Sequence, residues 1–300
     1  MSGVIVIDKP QGFTSFDAVA VLRGIFETKK VGHTGTLDPM ATGVLPILLG
    51  SGTKALSLLP DTDKEYKAGF EFGKRTDTLD ITGKVLEERK SSVTDEQLLD
   101  VLPQFRGSVM QLPPMYSAVS VDGRRLYELA REGKEVERKP RKVHISTLKL
   151  LSFDFDLQCG ELLVRCSKGT YIRSLIDDLA SSLNTIGVMS ALRRTAACGF
   201  NLEQAIPLAE LRRLKEEKGL EGVETLVRPI ESVFSEYGVV AVSEPQAKRF
   251  LNGGSLDLMR TQLKNIAVAE GEVFRVHERG GGFLGLAAAH SGELKFLKKF

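Results

Sequence analysis

The 300 residues include 41 basic and 39 acidic side chains, a formal charge of only +2, so the chain is no polycation and any nucleic-acid surface must come from local patches. Three cysteines without C-x-x-C spacing (Cys159, Cys166, Cys198) and four scattered histidines argue against a disulfide framework and a zinc site, and fit a reducing compartment, the cytoplasm. No charged-then-apolar leader and no apolar run of membrane-spanning length occurs, so no membrane partner is expected.

In chain order, residues 4–7 (VIVI) read as a buried strand entering the turn DKPQG at 8–12. Ser15 is placed to cap a helix whose apolar positions Phe16, Val19, Leu22 and Phe26 form one buried face. Residues 32–45, GHTGTLDPMATGVL, then set a glycine-punctuated loop against an apolar run. Pro39 fixes its own φ and pushes Asp38 out of helical dihedrals, so the carboxylate stands at a stiff corner. By shape alone, Asp38 is also explained as a turn or cap residue. The following GSGTK at 50–54 lacks phosphate-loop spacing and reads as a helix start.

Tyr66, Ala68, Phe70 and Phe72 alternate with polar residues and glycine, the period of a half-buried strand with Tyr66 at its beginning. GKRTDTLD at 73–80 crowds two carboxylates into a turn, where Asp77 is expected to organise neighbouring basic residues rather than to act in catalysis. Thr94 and Gln97 fit a capping box. Residues 113–142 hold a modest excess of cations among many charges, which a solvated helix face would explain as well as an RNA contact. CSKGTYIRSLIDDL at 166–179 reads as strand end, turn and helix, with Ile172, Leu175, Ile176 and Leu179 on one face. That puts Arg173 in the first turn of a buried helix near a strand end, with a surface pair to Asp177 as the alternative. Pro207 opens a charged helix through Lys218, and residues 216–225 read as a poorly constrained connection. From Tyr237 the pattern changes to short strands near 239–242, 266–269, 273–276 and 284–288, with a brief helix after Ser243 and a lysine-bearing tail at Lys295, Lys298 and Lys299.

The segment GHTGTLDP, together with Lys9-Pro10, Lys64-x-Tyr66, RTDTLD, GTYIR and Leu192-Arg193-Arg194, resembles the bacterial tRNA pseudouridine synthases that modify uridine-55 of the T-loop, over nearly the whole chain. The resemblance implies an α/β (α+β) fold with a mixed, largely antiparallel central sheet flanked by helices in residues 1–232, an inserted RNA-clasping segment at about 113–142, and a small C-terminal β-barrel-like PUA domain in 237–300. It implies Asp38 as the nucleophile, Arg173 as its ion-pair partner, Tyr66 stacked on the target base, Tyr171 beside it and Leu192 as an apolar wall. His33 would fill the stack vacated by the flipped base, and Lys9 would help hold the catalytic loop. The arginine pair 193–194 reads as an RNA contact or as two exposed arginines. The isomerisation needs no cofactor and no metal, because no electron or group donor enters it. The expected partner is tRNA, through its T-stem and T-loop, and a monomer is expected. Arg173 beside Asp38 is expected to depress the pKa of the aspartate. A non-catalytic RNA binder and a subunit of a guide-RNA-directed complex are the competing readings.

Overall fold

The computed structural model describes residues 1–60 and 63–300. Strand β1 (Gly3–Lys9) is nearly all buried, and helix α1 (Ser15–Ile25) follows it. Thr14, not Ser15, caps α1 in a capping box with Asp17, which frees Ser15 to point inward. The buried face of α1 runs through Ala18, Val19, Leu22 and Ile25, with Phe26 just beyond the helix. Phe16 departs from the expected face: it is 72% exposed and meets the His33 ring edge-on at 5.7 Å. A first-turn position rotated away from the sheet has no core to enter.

Strands β2 (Val31–His33) and β3 (Thr42–Leu49) flank the loop that carries Asp38. The stretch at 50–58 is a 3-10 helix. Strand β4 (Lys64–Phe72) shows the anticipated alternation, burying Tyr66, Ala68, Phe70 and Phe72. Helix α2 (Asp95–Val101) has the Thr94–Gln97 capping box. Next come β5 (Gly107–Gln111), β6 (Arg141–Asp154), β7 (Cys159–Cys166), α3 (Ile172–Ser182), β8 (Gly187–Ala197) and α4 (Leu208–Glu224). The stretch from 216 is helical after all as far as Glu224, broken only at Gly219, whose φ is 66°.

Among the described residues these strands build a ten-stranded mixed sheet in the order Ile206–Pro207, β1, β3, β8, β4, β7, β6, β5, with β2 on β3 and Phe200–Asn201 on β8. All neighbours are antiparallel except the first pair and the short β3–β8 contact, where Arg193 and Arg194 face Thr42 and Gly43. Gly43 has φ of 105°, and a Cβ there would overlap the Arg194 carbonyl, so glycine is required for this close approach. Helices α1, α3 and α4 cover the sheet over one large core. Arg193 and Arg194 thus lie on a central strand, not after a helix.

The C-terminal residues form a second, curled sheet that fits a PUA-like domain. Its order is β9 (Gly238–Val242), β10 (Val273–Glu278), β11 (Phe283–His290), β12 (Glu293–Lys298), then Leu256–Asp257, with helix α5 (Glu244–Leu251) alongside. The strand expected at 266–269 does not form: Ile266 is exposed and no neighbour pairs with it. The lysine-bearing tail is instead β12 as far as Lys298, and it buries Leu294 beside the exposed Lys295. This domain leans on the body through Phe234, Leu286 and Phe300, and through Arg275 and His277, which share Glu231. Among the described residues, no helix is long and apolar enough to cross a membrane.

Candidate active site

The loop between β2 and β3 is fixed from both sides. Ser15 Oγ accepts from the Leu37 N–H at 2.8 Å, and the Gly12 N–H donates to the Pro39 carbonyl at 2.8 Å. Lys9, with no exposed surface, donates its ammonium to the carbonyls of Phe13 (2.6 Å), Pro10 (2.9 Å) and Pro39 (3.5 Å). On the other side the fully buried Arg194 donates from Nε to Val44 O (2.7 Å), from Nη2 to Gly35 O (3.2 Å) and from Nη1 to Thr36 O (3.4 Å). Two buried cations therefore tie the loop to its surroundings through backbone carbonyls, Lys9 joining Pro39 to the turn at Pro10 and Phe13, and Arg194 joining Gly35 and Thr36 to Val44 of β3, a job that needs long stems with multiple donors. Arg194 is a loop anchor and not a surface contact with RNA. Its neighbour Arg193 is half-exposed and pairs with Asp8 at 2.7 Å.

The fixed loop presents Asp38 to Arg173, the second residue of α3, with Nη2 to Oδ2 at 3.0 Å. The guanidinium is buried and both of its Nη groups are engaged: Nη1 donates to Thr78 O and Nη2 to Tyr116 O, each at 3.0 Å, and Nη1 lies 3.7 Å from Asp80 Oδ2. Asp80 is held in turn by Thr78 Oγ1 (2.9 Å), the Thr82 N–H (3.0 Å) and Thr82 Oγ1 (2.6 Å). Asp177 pairs with Arg75 at 2.9 Å, so the surface alternative for Arg173 is displaced. Asp77 does not gather basic side chains. It accepts from the Lys84 N–H and the Tyr116 hydroxyl, and Asp80 is the carboxylate that meets the arginine.

Asp38 and Arg173 lie on the wall of a cavity of about 330 Å³ that is also lined by Lys64, Tyr66, Tyr171, Leu192 and Ser117. Tyr66 and Leu192 reach it from the adjacent strands β4 and β8, where Tyr66 faces Arg194 in register. Tyr171 precedes α3 and exchanges backbone hydrogen bonds with the Gln111 amide at 2.7 and 3.0 Å. His33 stands at the end of β2, outside the cavity lining, with a buried Nδ1 that lacks a partner among the described residues. Lys9 lies behind the loop rather than in the cavity.

Burial pushes the Asp38 carboxyl above the usual carboxylate range; Arg173 pulls it down and Asp80 pushes it up. The expected depression does not occur, because the cost of desolvation exceeds the pull of a guanidinium already shared with Asp80. The Tyr66 phenol is pushed up to about 12 by burial, against the lowering effect of Arg194, and stays protonated at neutral pH. Burial and Arg194 both lower the pKa of His33, which keeps its ring neutral. Burial is also the main cause that lowers Lys9 to about 8. Among the described residues, no cluster of His, Cys, Asp and Glu could hold a metal ion.

Residues 23–172 match the model of the TruB family pseudouridylate synthase N-terminal domain, and residues 173–235 that of the tRNA pseudouridylate synthase B C-terminal domain. The tRNA pseudouridine synthase B of Stutzerimonas stutzeri is 42% identical over 95% of this chain and 91% of its own length. That of Clostridium tetani is 40% identical over 99% of both. The chain belongs to the TruB family of pseudouridylate synthases. A chain in the solved structure of an H/ACA RNP bound to a substrate RNA containing 2′-deoxyuridine shares the fold, with a TM-score of 0.76 and 23% identity over 99% of this chain and 84% of that one.

In this TruB-family chain, sequence reasoning missed Asp80, the anchoring role of Arg194, and the cavity positions of Lys64 and Ser117. Asp80 sat inside a quoted motif, but only the fold shows which of its two carboxylates turns inward. The buried Lys9 ammonium gives a direct test of the loop anchor. Lys9→Met is expected to lower the melting temperature and to cut kcat by more than it raises KM, because the donors to Phe13 and Pro39 are lost while the cavity wall is kept. Unchanged kcat and melting temperature would show that the loop holds itself.

Proposed function

We propose that this enzyme isomerises uridine-55 in the T-loop of tRNA to pseudouridine, with Asp38 as nucleophile and without a cofactor. The observation that carries this reading is the Asp38–Arg173 pair at 3.0 Å on the wall of a cavity closed by Tyr66, Tyr171 and Leu192. Isomerisation detaches the base at N1, turns it and rejoins it through C5, so the site must supply a nucleophile for C6 or C1′, a surface that keeps the base, and shelter from water. Asp38 supplies the first. The Tyr66 ring and Leu192 supply the second and third, and the high phenol pKa suits Tyr66 to stacking more than to taking the C5 proton, which leaves to water.

A base tucked into a folded T-loop must be flipped out, at an unstacking cost of a few kcal/mol. The neutral His33 ring, edge-on to the exposed Phe16, is suited to occupy the vacated stack. The inserted segment carries a short hairpin at Ser120–Val121 and Arg124–Arg125 and the helix Leu126–Arg131. Its Arg124 and Arg138 are engaged with Glu132 and Glu135, which leaves Lys139, Arg141 and Lys142 exposed for phosphates. We divide the chain into a catalytic part, 1–232, and an RNA-binding part, 237–300, where Arg249, Arg260 and Arg279 line a second cavity together with Asp257 and Glu293.

The test is tritium release from a tRNA transcript labelled at C5 of uridine. Release is expected from the unmodified transcript, and none from one whose T-loop target is cytidine. A protein that binds the transcript tightly yet releases nothing would be a binder or a component of a guided complex.

A further inference from the structure

Strand β5 ends the ten-stranded sheet, and its last residue, Gln111, buries a polar side chain on the strand face that Val109 packs against the core. Only 3% of Gln111 is exposed, a costly place for an amide unless both of its ends are bonded. Both are, and to a single residue. Oε1 accepts from the Tyr171 N–H at 2.7 Å, and Nε2 donates to the Tyr171 carbonyl at 3.0 Å. The side chain thus pairs with extended main chain (φ −102°, ψ 110°) much as a neighbouring strand would. The same carbonyl accepts from the Leu175 N–H at 3.0 Å, the bond that opens the ladder of α3. The amide therefore sits where the loop from β7 becomes helix. Two more bonds cross this seam beside it, Ser174 Oγ to Leu112 O at 2.9 Å and Arg173 Nη2 to Tyr116 O at 3.0 Å.

We infer that Gln111 is a positioning residue of the active site, whose amide holds the main chain at Tyr171 so that the Tyr171 ring and the Arg173 guanidinium are both set against the cavity. This deepens the isomerase reading above and rests on it. Tyr171 lines the cavity, and Arg173 follows two residues later in the first turn of α3, facing Asp38 at 3.0 Å. Main chain that shifts at Tyr171 carries both groups with it, because the helix start between them is stiff. A misplacement of about 1 Å, set off by a residue that touches no substrate, is enough to cost about 10²-fold in rate. A glutamine that merely satisfied itself in the core would act on stability alone.

The experiment compares wild type, Gln111→Met, Gln111→Asn and Val109→Ala by kcat, KM and the pH profile of tritium release from the tRNA transcript, with melting temperatures. Gln111→Met keeps the length of the side chain and loses both bonds; Gln111→Asn keeps a neutral amide that is one methylene short. Val109→Ala weakens packing on the same strand face while Gln111 stays. Gln111→Met is expected to lower kcat by about 10-fold to 10²-fold, well beyond any change in KM, with Gln111→Asn between it and wild type. The charged groups that act on Asp38 are Arg173, Asp80 and Lys9. Neither replacement adds or removes a charge, so a loosened Arg173 shows itself as an acid limb moved to higher pH. Val109→Ala is expected to lower the melting temperature and to leave kcat and the acid limb in place. Wild-type kcat or an unmoved acid limb in a folded Gln111→Met overturns this inference alone, as does a Val109→Ala that reproduces both changes. The same readings on Gln111→Asn decide the matter if Gln111→Met does not fold. An inert wild type overturns the isomerase reading and this inference with it.

Discussion

Asp38→Asn is expected to abolish tritium release, on the order of 10⁴-fold or more, while tRNA binding is retained. The amide keeps the shape of the side chain and an oxygen for Arg173 at the position now 3.0 Å away, so the cavity wall and the clasping segment are preserved. What is lost is the charge and nucleophilicity of one oxygen. A non-catalytic binder would be indifferent to the change, so the ratio of lost turnover to retained binding separates the two readings in one experiment.

Arg173→Met is the second large effect, and it falls on stability as well as turnover. The guanidinium is buried between Asp38 and Asp80, whose side chains are 35% and 7% exposed. Removing one partner from such an arrangement leaves uncompensated carboxylates and costs about 3–5 kcal/mol when burial is complete, less here because Asp38 still reaches solvent through the cavity. The melting temperature should fall and kcat should drop by about 10³-fold, as for other preorganised electrostatic groups. The pH dependence gives the sign. Asp38 is needed ionised, and its pKa is already raised by burial, so the acid limb of the rate lies above the ordinary carboxylate range. Without the cation that pKa climbs further and the limb moves to higher pH. A carboxyl with a raised folded-state pKa binds its proton more tightly in the folded protein, so the stability defect shrinks as pH falls and grows as pH rises through that pKa. A variant with an unmoved acid limb would show that Arg173 does not control the ionisation of Asp38.

Much of this site was legible because its parts lie in contiguous, chemically unusual stretches. Asp38 is marked by the stiff corner at Pro39, the strand of Tyr66 by strict alternation, and Arg173 by the apolar face of the helix it opens. What escaped was set by three-dimensional rotation rather than local pattern. Phe16 has helical spacing relative to Val19 yet lies on the side of α1 that meets His33. Asp77 and Asp80 share one turn, and only the fold decides which faces Arg173. Arg194 looked like a surface arginine because a buried cation without a carboxylate leaves no trace in the sequence; its partners are backbone carbonyls of the Asp38 loop and of β3, 150 to 159 residues away. The misread C-terminal stretches have the same origin. Leu294 and Phe296 alternate with lysines, a strand signal masked by the charges, whereas Ile266 to Ala269 is apolar with no edge to join.

The carbonyl of Tyr116 belongs to the inserted segment, yet it accepts one of the hydrogen bonds that orient Arg173. In the proposed function, the grip on the polynucleotide and the aim of the Asp38 carboxylate therefore share a mechanical joint two bonds deep, guanidinium to carbonyl on one side and guanidinium to carboxylate on the other. On that proposal, force that a long RNA applies to the inserted segment is delivered to Asp38 as alignment. A short oligonucleotide that fills the cavity but leaves the clasp idle forgoes that delivery, and its deficit is one of speed as well as of affinity.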